Sequence, residues 1–246
     1  LPASAGTVWA DTPAQRLPGV GGTLARRPGY PTPGRDVQPA PLGTPPPAPA
    51  TDRPYAFIAT QPSGRGASAT PVAWSPCRPV HYVVNLTGAP SGFDWYVAGV
   101  FAELSAATGF VFVDDGVTDE PGTAGRAAYQ PDRYGDRWAP VLVAFADAST
   151  VPELTGDVAG VGGAATVTDP ATGRLAFVSG RVLLDSTLLA RPVQGGEPAF
   201  LPVLRHELGH LVGLGHVDDP TQLMYPRTSW ARTYAEGDRA GLARLG

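Results

Sequence analysis

Lysine is missing from all 246 residues, and cysteine and methionine occur once each. One cysteine cannot close an internal disulfide. Nor can it build a structural zinc site of the four-cysteine kind or of the kind with two cysteines and two histidines. No run of 18 or more apolar residues occurs, so no segment reads as a membrane-spanning helix. Histidine is scarce too, with four residues. The 18 basic residues are all arginine, and against 22 acids they leave a net charge of −4. The excess of acid lies after residue 54, where 13 arginines face 19 acids. A globular part of that sign is a poor partner for nucleic acid.

What the chain has in quantity is glycine and proline, 31 and 28 residues. Thirteen of the prolines fall within residues 1–54. Residues 28–54, with Pro45-Pro46-Pro47 and Pro49, cannot hold a helix and favour extended, solvated backbone. We read residues 1–54 as a proline-rich arm, either a spacer or a propeptide or surface stalk. Residues 55–246 are long enough for one domain with its own core. The chain opens on Leu1 and residues 1–30 hold no apolar signal core, so an export signal is expected upstream.

Along the domain, Tyr55–Ala59 and Pro71–Trp74 read as short strands around the turn Pro62-Ser63-Gly64. His81–Asn85 is a β-branched and aromatic strand. In Phe93–Thr108 the period becomes helical, with Val97, Val100, Phe101 and Leu104 on one stripe and Gly109 as a stop. Phe110–Val113 reads as a strand running into the turn Asp114-Asp115-Gly116. The connection that follows, to about Pro140, is long enough to argue for function, a bound ion or disorder. Val141–Phe145, Gly160–Val167 and Leu175–Leu184 are further strands, the last two separated by turn residues Asp169–Gly173. Phe200–Leu214 is strongly apolar with helical period, and a short helix around Asp238–Leu245 closes the chain. Strand, helix, several strands and two helices make an α+β layout with a mixed sheet.

Three of the four histidines lie within eleven residues, in His206-Glu207-Leu208-Gly209-His210-Leu211-Val212-Gly213-Leu214-Gly215-His216. His206 and His210, at i and i+4, project from one face of a helix one turn apart, which suits two nitrogens about 2 Å from one zinc ion. Glu207 stands beside the first ligand, where its carboxylate reaches a water on the metal without binding the metal itself. Gly213 permits a sharp turn that brings His216 round as a third ligand. Three protein ligands leave the fourth position open, the arrangement of a catalytic zinc.

This pattern, with Met224 in Leu223-Met224-Tyr225-Pro226, resembles the metzincin zinc endopeptidases and among them the matrixin family. Met224 stands eight residues past His216, the spacing of the matrixin Met-turn, and Asp219 falls where matrixins carry Asp. Gly237-Asp238-x-x-Gly241-Leu242-x-x-Leu245 resembles the family's last helix. The resemblance implies a metzincin-type domain: a twisted mixed sheet, a backing helix, an active-site helix, the Met-turn and a C-terminal helix. It implies hydrolysis of peptide bonds in proteins through a zinc-activated water, with Glu207 as general base and Met224 as an apolar floor. Pro226 would line the S1′ pocket, and the strand around Gly162 and Val167 would be the edge to which substrate pairs. The lysine-free, Ala/Gly/Pro/Arg-rich composition suggests a bacterial member; by the resemblance it is expected to be secreted or at the cell surface, and a monomer. The alternative is a non-catalytic surface or binding protein of the same fold that keeps zinc for stability.

The chain departs from vertebrate matrixins at Val217, where they have Ser, and at Thr228, where their pocket wall has Tyr. A second, structural zinc needs several further histidines, and only His81 remains. Tyr225 directly follows Met224, one position short of a tyrosine ligand, and is not assigned to the metal. His81 is expected to be an ordinary, partly buried histidine, and Cys77 a buried structural thiol. A zinc-blocking role for Cys77, or for Asp11, Asp36 or Asp52, is the other reading. Asp114-Asp115 and the loop after it are either a plain turn or a calcium site, calcium being a common accessory of the family. Asp238 is expected to cap the last helix and brace the Met-turn.

Overall fold

The computed structural model describes residues 30–63, 69–169, 172–189 and 196–246. In chain order its elements are β1 (Ala56–Phe57), β2 (Thr60–Pro62), β3 (Ala69–Pro71), β4 (Val80–Val84), α1 (Phe93–Thr108), β5 (Phe112–Val117), α2 (Pro131–Tyr134), β6 (Val141–Ala146), β7 (Gly160–Thr168), β8 (Leu175–Asp185), α3 (Ser186–Leu189), α4 (Phe200–Val212), β9 (Leu214–Gly215) and α5 (Glu236–Leu245). Five strands make one mixed sheet in the order β5-β4-β6-β8-β7. All neighbours run parallel except β7, which returns antiparallel on β8 and forms an edge. This is the expected α+β, metzincin-type arrangement.

Alternation along the strands decides the layers. Tyr82, Val84, Val143, Phe145, Val182 and Leu184 join the main core with the apolar faces of α1 and α4. Val83, Leu142, Ala144 and Leu183 face the other way, beneath Val151 and Leu154. Helix α1 buries the expected stripe and ends on Gly109, whose positive φ of 74° lets its N–H close on the Ser105 carbonyl. It backs the sheet next to α4 and α5.

Several boundaries differ from the sequence reading. The hairpin is β2 with β3, and Gly64 of the expected turn lies outside the described residues. The expected strand from Tyr55 is reduced to β1, which pairs with β9 directly after α4. Pro71–Trp74 stays extended past β3, where Val72 N–H donates to Ala59 and Phe177 N–H to Ala73. Asp114-Asp115-Gly116 is no turn: it continues β5. Parallel pairing with β4 carries the strand past Val113, with a register shift between Tyr82 and Val84 and Gly116 at φ 89°.

Asp115 meets His81 Nδ1 at 2.8 Å and Arg137 at 2.6 Å, while Asp114 Oδ1 accepts Gly116 N–H. Those bonds to His81 and Arg137 overcome the effect of burial and hold the Asp115 carboxyl below its usual range. Arg137 already occupies Asp115, and neither Asp114 nor Asp115 belongs to a group of three potential metal ligands among the described residues.

The long connection is ordered instead by a buried ion pair. Arg126 donates to both carboxylate oxygens of Glu120, at 2.8 and 2.9 Å, and Gln130 and Tyr134 each add a bond at 2.6 Å. Arg126 also reaches the carbonyls of Pro140 and Gly180, so the loop is tied to the sheet. Burial alone would raise the Glu120 carboxyl, but its bonds, led by Arg126, bring it below the usual range.

The arm from residue 30 holds no helix, as its prolines require, but it is not extended throughout: it turns at residues 33–36, where Arg35 N–H donates to the Thr32 carbonyl, and then lies along the domain. Tyr30 packs on Tyr129 and Trp138 at ring distances of 5.0 and 6.0 Å. Arg78 donates to the Pro33 carbonyl, Gln38 N–H to Cys77 and Leu42 N–H to Pro76. Further on, Thr51 bonds Glu236 and Arg53 pairs with Asp219. The change of composition at residue 54 is therefore not a gap in contacts.

Candidate metal centre

Helix α4 is buried on nearly every side, lying against β7, β8 and α1. That leaves its polar residues few places to point. His206 and His210 share a face, as their spacing requires. The helix stops at Gly213, whose φ of 122° suits glycine, and Gly213 N–H closes on the carbonyls of Gly209 and His210. The chain then enters β9 and returns His216 to the other two histidines. Their ligand atoms lie within 4.8 Å of one another, and no other such group of three occurs among the described residues.

The hydrogen bonds of the rings show what they suit. His206 Nδ1 donates to the Leu223 carbonyl and His210 Nδ1 to the Leu214 carbonyl, both at 2.8 Å. With protons on Nδ1, both rings present bare Nε2 lone pairs. These converge on His216 Nε2 at 3.0 and 3.1 Å. One imidazole N–H cannot serve two acceptors well, whereas a cation bonded to all three nitrogens can. Burial, then the neighbouring imidazoles, hold His206 well below its ordinary pKa despite the Leu223 bond. The donor set and its tautomers fit a zinc ion, with His216 only partly buried at the open side.

Glu207 is fully buried beside this face. A Cβ at position 160 would sit 2.8 Å from Glu207 Cγ and 3.1 Å from Oε1, so Gly160 of β7 makes room for the carboxylate. At Gly162 a side chain would run into the Glu207 backbone itself. Gly162 thus lies beside the centre on the edge strand, in contact with α4. Val167 does not: it is five residues further along β7, roughly 16 Å, and is buried with Ala128, Trp138 and Val178. Its side chain belongs to a core cluster, not to the pocket that the resemblance implies.

The Met-turn packs under the helix. Met224 is buried, and a Cβ at Gly209 would be 2.7 Å from its sulfur. Asp238 accepts Leu223 N–H at 2.7 Å, Met224 N–H at 3.3 Å and Ala235 N–H at 2.9 Å. It therefore does both expected jobs, holding the turn and the start of α5, although burial raises its carboxyl above the ordinary value. Gln222 completes the cap by accepting Gly237 and Asp238 N–H.

Sequence reasoning missed Gly160, Gly209, Gln222 and Arg205. Arg205 grips Glu103 of α1 with two bonds at 2.9 Å, Glu197 at 2.6 Å and the Arg232 carbonyl at 3.1 Å. The one advance signal was a glycine and a charge inside an otherwise apolar helix. Val217, in place of Ser, is buried and donates its N–H to the Met224 carbonyl. Cys77 is half-buried in the turn before β4, less buried than expected, and it is outside the histidine group. So are Asp36 and Asp52, while Asp11 lies outside the described residues. His81 is the partly exposed partner of Asp115.

A cavity of about 360 Å³ opens next to the centre, between Val203 of α4, Leu223 of the Met-turn and Arg227-Thr228-Ser229 beyond it. Pro226 itself is partly buried directly before that wall. The family model of the matrixins matches residues 176–245, from β8 through α5. No curated protein matches the chain. Over residues 176–245 the chain is thus similar to the matrixins, and its sheet order, histidine group and Met-turn are compatible with a matrixin-like metzincin.

Proposed function

We propose that the protein is a zinc-dependent endopeptidase, with His206, His210 and His216 holding the metal and Glu207 as general base. The observation that carries the proposal is the convergence of three Nε2 atoms beside a buried carboxylate, with both buried rings oriented by carbonyl acceptors. The chemistry zinc supplies when held there is acidification of water and polarisation of a peptide carbonyl. Glu207 takes the proton of the attacking water and passes it to the amine nitrogen as the peptide bond breaks. Gly160 keeps that carboxylate in place, and the edge strand β7 offers main-chain groups to an extended substrate. Substrates are proteins or peptides, and the enzyme acts outside the cell or at its surface, as the peptidases it resembles do.

The test is Glu207→Ala. The variant should keep one zinc per chain by metal analysis yet lose at least about a hundredfold in casein cleavage. Cleavage at the wild-type rate would remove Glu207 from the mechanism. Zinc binding by a wild-type protein that cleaves nothing would favour the non-catalytic alternative.

A further inference from the structure

The cavity beside the histidines is uneven in charge. Its apolar wall includes Leu188, Leu189, Val203 and Leu223, and its only charged lining residues are Arg227 and Arg232. Arg232 is neutralised by Glu197 at 2.5 Å, and Glu197 also takes Arg205 at 2.6 Å. Arg227 is exposed and forms no ion pair among the described residues. The cavity therefore combines an apolar wall with one uncompensated cation.

We propose that Arg227 makes this pocket select an acidic side chain, glutamate above all, at the substrate residue following the scissile bond. The inference rests on the endopeptidase reading. Its physical basis is complementarity: two methylenes of glutamate suit the apolar wall, and the carboxylate meets the free guanidinium. Glutamine has the same length without the charge, leucine fills the wall alone, and lysine meets a like charge. The pairing is solvent-exposed, so its effect is moderate and shrinks with salt.

Four peptides identical except for Glu, Gln, Leu or Lys at that residue provide the test. Their binding to zinc-loaded Glu207→Ala protein is read by fluorescence anisotropy, and their cleavage by the wild-type protein as kcat/KM. Glutamate should exceed glutamine about three- to fivefold in both readouts, less at 0.5 M salt. Arg227→Gln should abolish this ratio and Arg227→Glu should invert it. Equal binding of the Glu and Gln peptides, or a ratio unmoved by Arg227→Glu, overturns the assignment even where all four peptides are cleaved. If none is cleaved while the binding preference and its inversion persist, the pocket assignment stands and the endopeptidase reading fails.

Discussion

Gly162 and Gly160 face one helix turn and leave the room that Glu207 occupies. A methyl group at 162 would collide with the Glu207 backbone, which no rotamer change relieves. Gly162→Ala should therefore cost about 1–3 kcal/mol of stability by thermal unfolding and lower activity through displacement of α4. An unchanged melting temperature would show a looser contact between helix and sheet. The histidines were legible in the sequence because a four-residue spacing on a helix is local geometry. The glycines were not, since Gly160 answers to Glu207 and Gly209 to Met224, partners far away along the chain. Gly162 was identified, but as a substrate edge, and its contact with α4 comes only from the packing.

Among the elements, the connection between β5 and β6 depends on Glu120 and Arg126. The Glu120 carboxyl is held below its ordinary value in the folded protein by Arg126, Tyr134 and Gln130, against the opposing effect of burial. Its contribution is therefore complete above the unfolded pKa of about 4.3 and is lost as pH falls through the lower folded value. Wild-type stability should drop below about pH 4.3, and the drop should be smaller in Glu120→Gln, when unfolding is followed from pH 7 to 3. Equal acid sensitivity of the two proteins would contradict the role given to this pair. Helix α1 was legible to its last residue because stripe and stop agree. The course of β5 was not, because Asp-Gly reads locally as a turn, whereas β4, His81 and Arg137 are contributed from elsewhere. The two-residue pairing of β1 with β9 is likewise too short to leave a pattern.

For the whole molecule, the arm from Tyr30 to Pro54 is a strap joining the Trp138 side of the sheet to the start of α5. Proline content excludes a helix there and says nothing of the turn at residues 33–36 or of the surface the arm lies on. Removing residues 1–54 should lower the melting temperature by about 5–10 °C while zinc binding persists, since the histidine group takes nothing from the strap. An unchanged melting temperature would return the segment to a spacer.

The central claim is that one zinc, held by three histidines beside Glu207, makes this chain a peptidase. Titration of the metal-free protein with zinc, with casein cleavage and bound metal measured on the same samples, tests it most directly. The account predicts activity that rises with zinc and levels off at one equivalent per chain, His81 being the only histidine left over. Full occupancy without cleavage, or cleavage that persists when no zinc is bound, would contradict it.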